Sequence, residues 1–174
     1  KDNYSSFVSP LQLITDKPVL YVCNVDENSA TTGNHYVDRI KKLVSNENAE
    51  VITLAVGIEA DINELDDFEE RKIFLEDLGL SEPGSSKLLR STYKLLNLQT
   101  YFTAGLKEVR AWTIAVGSTA PQAAGVIHTD FEKGFIRAEV ISYDDYVTYK
   151  NELKVKEAGK MNIEGKNYIV NDGD

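Results

Sequence analysis

The sequence contains a single cysteine, Cys23, in 174 residues. A lone thiol excludes an intramolecular disulfide and any zinc site built on several cysteines. Two histidines, His35 and His128, leave little material for a histidine-based metal site, so no metal-ligating set is expected. Basic residues are also scarce: 19 Lys and Arg face 28 Asp and Glu, a formal net charge of -9. Coating a whole surface against phosphates needs clustered basic charge, so that class is excluded while a local basic patch is not. No apolar run reaches the roughly 18–20 residues of a membrane span. Lys1-Asp2-Asn3-Tyr4 is not followed by the apolar core of a secretory signal. A reducing, cytoplasmic setting fits this cysteine usage. The phosphate-binding pattern G-x-x-x-x-G-K-[ST] is missing as well. Gly117-Ser118-Thr119 and Gly159-Lys160 lack the first glycine at the needed spacing. These residues therefore cannot hydrolyse a nucleotide by P-loop chemistry on their own, and no catalytic residue is assigned among them.

The 42% apolar and 27% charged fractions are those of a globular protein. The length suggests one domain or two small ones. Both ends suggest a piece of something longer. There is no initiator Met, and the terminal Val170-Asn171-Asp172-Gly173-Asp174 reads as a turn into a further strand.

The first half reads as α/β. Val19 to Cys23 and Val51 to Ala55 are short continuous apolar runs, the pattern of strands covered on both faces. Between them Tyr36, Val37, Ile40, Leu43 and Val44 recur at helical spacing. Strand, helix and strand in that order imply a parallel pair with a right-handed crossover. An acidic helix is expected over roughly Asp61 to Leu78, stopped by Gly79. Seven of the twelve residues from Glu59 to Glu70 are acidic. They suit a solvated face near a helix N-terminus, or an interaction face for a basic partner. Glu82 to Ser86 reads as a loop and Lys87 to Leu96 as an amphipathic helix.

The pattern changes near Asn97. Leu98 to Ala104, a turn at Gly105 to Glu108, and Val109 to Val116 form a hairpin candidate. Gly117 to Pro121 starts a helix that runs through Ile127. Phe135 to Ile141 alternates strictly as a strand, Tyr143 to about Lys150 is helical, and Tyr168 to Val170 is a last strand. Residues 1–96 carry a net charge of -7 and residues 97–174 only -2, so the second half repels a polyanion less.

Asn24-Val25-Asp26-Glu27 follows the first strand directly. In doubly wound sheets ligands bind beyond the carboxyl ends of strands. An Asn with an acid three positions on matches the place of a nucleotide-base loop whose usual form is N-K-x-D. Here Val25 replaces the Lys and Glu27 the final Asp. Glu is one methylene too long for the guanine geometry, whereas Asn can pair with adenine's donor and acceptor. A plain polar turn is the alternative. Ala55 to Glu59, after the second strand, stands where a second base-contacting loop would. His128-Thr129-Asp130 lacks a nucleophile and reads as capping, Cys23 as an inert core thiol, and Trp112 as sheet core.

Long segments carry a family resemblance. Tyr93 to Gly105, Lys107 to Thr113, Ala120 to Gly125, Ile127 to Ala138, Lys156 to Lys160, Tyr168 to Val170 and Asp172 to Asp174 closely resemble the YchF family, the Obg-like ATPases. The resemblance implies a P-loop NTPase domain interrupted by a helical insertion and followed by a β-grasp TGS domain, so the fold class is α/β plus α+β. It implies that residues 1–16 end the insertion or its return, 17–96 are the C-terminal part of the NTPase domain with a parallel βαβ unit, and 97–174 are the TGS domain lacking its last strand. It further implies an ATP-preferring (ATP or GTP), Mg²⁺-dependent parent that acts at the ribosome or on RNA. In that parent Asn24, Val25 and Glu27 would form the base loop, with no nucleotide expected on these residues alone. Two other readings stay open. One is a non-enzymatic RNA- or ribosome-binding TGS module contacting its partner through Lys107, Arg110, Lys133 and Arg137, which are otherwise solvated charges. The other is a protein-binding adaptor using the acidic helix.

Overall fold

The computed structural model describes residues 7–47, 49–105 and 107–174, with only the backbone of Ser9. The chain divides into two compact units, Lys1–Leu96 and Asn97–Asp174.

In the first unit β1 (Val19–Asn24) pairs in parallel with β2 (Ala49–Leu54), in register from Val19 opposite Ala49 to Asn24 opposite Leu54. The connection carries α1 (His35–Leu43). The Asn34 side chain accepts from the Tyr36 and Val37 amides and so starts that helix. Gly33, at φ +74°, makes the bend before it. The expected burial of both faces is not met: in β2 the buried Ile52 and Leu54 share one face while Val51 and Thr53 on the other are half-buried, and β1 has no buried residue. Val19 and Val22 are 42% and 45% exposed. Helix α4 (Gly84–Leu95) packs on both strands.

The single acidic helix is corrected to two, α2 (Val56–Glu64) and α3 (Phe68–Asp77). Leu65 leaves α2 in extended backbone, and Asp67 then caps α3 by accepting from the Glu69 amide. The Leu65 carbonyl, freed from the ladder, accepts from Arg71 Nε at 2.6 Å. Gly79, at φ +68°, ends the segment as expected. Residues 84–86, expected as loop, are already the first turn of α4. Likewise Val56 to Glu59, expected as loop, are the first turn of α2. The core of this unit is Ala55, Ile58, Ile62 and Leu75, with Val25, Ala30, Phe74, Leu78 and Leu80 packed around it. Residues 1–6 lie outside the described residues. Residues 9–16 hold two short 3₁₀ turns, Ser9–Leu11 and Ile14–Asp16.

In the second unit β3 (Leu98–Ala104) and β4 (Val109–Ala115) form the expected antiparallel hairpin, of whose turn Leu106 lies outside the described residues. Thr119 caps α5 (Ala120–Ile127) in a reciprocal capping box with Gln122. Then come α6 (Thr129–Lys133), β5 (Ala138–Val140), α7 (Tyr143–Tyr149), α8 (Glu152–Glu157) and β6 (Asn162–Glu164), with β5 and β6 antiparallel. The expected strand Phe135–Ile141 shortens to three residues because β6 offers only three partners. Tyr168–Val170 is not a strand but one bridge, Ile169 to Thr119, flanked by Ala120 N–H to Tyr168 C=O and Val170 N–H to Ser118 C=O. The core is Tyr101, Ile114, Ala120, Ala123 and Val170, with Trp112, Ile127, Phe135 and Tyr168 around it.

Candidate functional site

The carboxyl ends of β1 and β2 lie side by side, and the loop after β1 is tied to the helix after β2. Val25 N–H donates to the Leu54 carbonyl at 2.8 Å, which carries the ladder one residue past the strand. The Val25 side chain packs against the unit's core, so it anchors the loop. Asn24 Oδ1 accepts from Val56 N–H at 3.1 Å. Ala55, the N-cap residue of α2, has no side chain to do this, so Asn24 supplies the acceptor from 32 residues away. Asp26 accepts from Ser29 N–H at 3.0 Å and holds a 3₁₀ turn, Glu27–Ser29. Asn24 and Glu27 are both exposed. The result is a braced loop that offers an amide NH₂ from Asn24, whose Nδ2 donates to no described residue, and a carboxylate from Glu27.

The brace extends further. The Glu59 carboxylate, one turn into α2, accepts from Gly84 N–H at 2.6 Å and Ser85 N–H at 3.0 Å. It thereby caps α4, whose N-cap residue is Pro83 and has no side-chain acceptor. A Cβ at Gly84 would run into Leu54 Cδ2 and Glu59 Oε1. Sequence reading missed the Glu59–Gly84 pair because its members are 25 residues apart. The only hint was a Pro-Gly start to a helix without a capping side chain.

Lys107, Arg110, Lys133 and Arg137 are all exposed in the second unit. Arg110 lies 4.1 Å from the centre of the Trp112 ring, with Nη1 3.8 Å from Glu108 Oε1. Lys107 belongs to the hairpin turn, Lys133 ends α6, and Arg137 precedes β5. Trp112 packs against the core and donates Nε1–H to Thr103 Oγ1 at 2.9 Å, so it is sheet core as expected. His128 Nδ1 accepts from Asp130 N–H at 3.2 Å and caps α6, the role read from the sequence. Among the described residues no group of three or more His, Cys, Asp or Glu side chains is placed to hold a metal ion. No helix among them is long and apolar enough to cross a membrane.

Two tyrosines of this unit are perturbed. Burial raises the Tyr101 phenol, whose hydroxyl donates to the Ala123 carbonyl at 2.8 Å. Tyr168 is pushed up to about 12, first by burial and then by its hydrogen bond to Asp174 Oδ2 at 2.7 Å.

A family model named YchF-GTPase_C, described as a protein of unknown function (DUF933), matches residues 98–174. A ribosome-binding ATPase YchF from Escherichia coli O157:H7 is 58% identical over 164 residues, which cover 94% of this chain and 45% of the relative. One from Bacillus subtilis (strain 168) is 48% identical over 175 residues, 99% of this chain and 48% of the relative. The solved structure of the Schizosaccharomyces pombe YchF GTPase superposes with a TM-score of 0.85 at 36% identity, over 99% of this chain and 46% of that one. The chain thus spans about half the length of the curated relatives it matches.

Proposed function

The chain belongs to the YchF family, whose C-terminal region it matches, and on that premise we propose that it carries the base-recognition end of a ribosome-associated, ATP-preferring nucleotide hydrolase, joined to a β-grasp TGS module. The observation that carries the reading is the Asn24–Val56 hydrogen bond across the ends of the two parallel strands. It engages one lone pair of the Asn24 oxygen and leaves the amide NH₂ without a partner among the described residues. That NH₂ suits an acceptor such as adenine N7, and the second lone pair remains for the adenine amino group. Val25 keeps the loop seated, and Glu27 adds an acceptor for an amino group. ATP or GTP with Mg²⁺ belongs to the whole protein, whose phosphate-binding residues are not among these 174. The bound cation would neutralise phosphate charge there. The TGS module presents Lys107, Arg110, Lys133 and Arg137 to ribosomal RNA, a reading favoured by the exposure of all four.

The experiment is nucleotide titration of the full-length protein and of its Asn24→Ala variant. Losing a hydrogen bond or two of about 1–1.5 kcal/mol each weakens ATP binding roughly tenfold to a hundredfold. The 174-residue chain alone binds ATP no better than micromolar. Submicromolar binding by that chain, or unchanged affinity in the variant, refutes the reading. For the module, binding to ribosomes should fall steeply with salt, and each Lys→Ala change should reduce the salt slope by about 1.

A further inference from the structure

Two hydrogen bonds tie the candidate base loop to the junction of β2 and α2: Val25 N–H to the Leu54 carbonyl, and Val56 N–H to Asn24 Oδ1. The loop is therefore only as well placed as that junction. Ile58 and Ile62, 1% and 4% exposed, press one side of α2 into the core. Apolar burial is non-directional, so these side chains hold the depth of the helix more firmly than its position along its own axis. Hydrogen bonds are directional and complete the placement. Glu59 supplies them. Its half-buried carboxylate receives Gly84 N–H on Oε1 at 2.6 Å and Ser85 N–H on Oε2 at 3.0 Å. Bonds from a helix N-terminus to a carboxylate are charge-assisted and belong to the stronger class. The helix they grip, α4, packs on β1 and β2, and Lys94 near its other end lies 3.7 Å from Glu50 of β2. Glycine at 84 permits the close approach, since a Cβ there would meet Leu54 Cδ2 and Glu59 Oε1. Leu54 is also the residue whose carbonyl holds Val25. The contacts thus close a ring that runs from the base loop to the end of β2, through α2 and Glu59 to the start of α4, and back to Leu54.

We infer that Glu59 is a positioning residue for base recognition. By clamping α2 to the start of α4 it fixes the Val56 N–H that orients Asn24, while its own two oxygens are taken up by α4. This role rests on the base reading of Asn24 and Glu27. Two consecutive amides need two acceptor oxygens on one side chain of this length. Gln offers one oxygen, and Asp is shorter by one methylene. Freed from α4, the first turn of α2 shifts by the few tenths of an ångström that separate a good hydrogen bond from a poor one. Asn24 Oδ1 then loses its partner and the side chain gains rotamer freedom. A bound base would have to order it again, which weakens binding although no group that touches the base has changed.

The test uses the full-length protein and two readouts, amide exchange and ATP titration. In Glu59→Ala the amides of Val56, Gly84 and Ser85 should exchange roughly tenfold faster. ATP affinity should fall by about fivefold to tenfold, less than in Asn24→Ala, the residue through which the effect passes. In a protein that already carries Asn24→Ala, adding Glu59→Ala should weaken ATP binding no further. Glu59→Gln keeps one acceptor and should fall between the wild type and Glu59→Ala. It also takes the place of the alanine variant in every comparison if that protein does not fold. Asp67→Ala uncaps α3 at a similar loss of stability and should leave ATP affinity unchanged. With Asn24→Ala impaired, the proposed role is overturned by wild-type ATP affinity in Glu59→Ala, by losses that add in the double variant, or by exchange that quickens at 84 and 85 but not at 56. If Asn24→Ala itself binds ATP normally, the base reading fails instead, and exchange at Val56 alone decides whether Glu59 positions the loop.

Discussion

Replacing Gly84 by alanine should unfold the first unit several degrees earlier, although alanine is the better helix former. Gly84 opens α4 against β2, and its added Cβ would meet Leu54 Cδ2 in the core and Glu59 Oε1. Leu54 is 8% exposed and has little room to move. Overpacking of this kind costs about 1–3 kcal/mol. Displacing Glu59 also weakens the two hydrogen bonds that cap α4, a further loss of about 1 kcal/mol. The gain from removing a helical glycine is about 0.5–1 kcal/mol, so the net is roughly 2 kcal/mol of destabilisation. For a unit of this size that lowers Tm by roughly 10 °C. Gly57→Ala is the matched control, because a Cβ there meets nothing within 4 Å. It should raise stability by about 0.5–1 kcal/mol. Thermal unfolding followed by circular dichroism measures both. If Gly84→Ala is neutral or stabilising like the control, the close approach of α4 to Leu54 and Glu59 is wrong. A double variant with Glu59→Ala should be less destabilised than the two singles summed, since the two changes share one contact.

Alkaline unfolding should report Tyr168. Its phenol has a higher pKa folded than unfolded, about 12 against 10, so it stabilises the fold fully below pH 10 and loses that contribution as pH rises toward 12. Tyr168→Phe should flatten the stability profile across that window, and an unchanged profile in denaturant titrations would count against the Tyr168–Asp174 lock. Tyr101→Phe removes the hydroxyl that donates to the Ala123 carbonyl and should cost about 1 kcal/mol in the same titrations.

Elements that carry their own signals were legible in the sequence. β1 and β2 are contiguous apolar runs, and α5 has a Thr119–Gln122 box that encloses Pro121. The hairpin of β3 and β4 is two strand-like runs, the second with alternation, on either side of a turn at 105–108. Elements defined by partners were not. β6 has the polar sequence Asn162–Glu164 and exists because β5 lies beside it. Tyr168–Val170 looks like a strand, yet Asn171 and Asp174 turn that segment into a locked loop. Within 61–78 the break at 65–67 was signalled by Asp67, a capping residue hidden among other acids. For the candidate site, residue types and strand-end position marked Asn24 and Glu27. The Val56 amide that orients Asn24 became visible only when the two strand ends were placed side by side.

The central claim is that Asn24 and Glu27 read an adenine base. Its most direct measurement is the ratio of ATP to GTP affinity in the full-length protein carrying Glu27→Asp. Shortening that side chain by one methylene recreates the reach that guanine's two donors require, so the ratio should shift toward GTP by about tenfold, one good hydrogen bond's worth. A ratio that stays where it was would contradict the account.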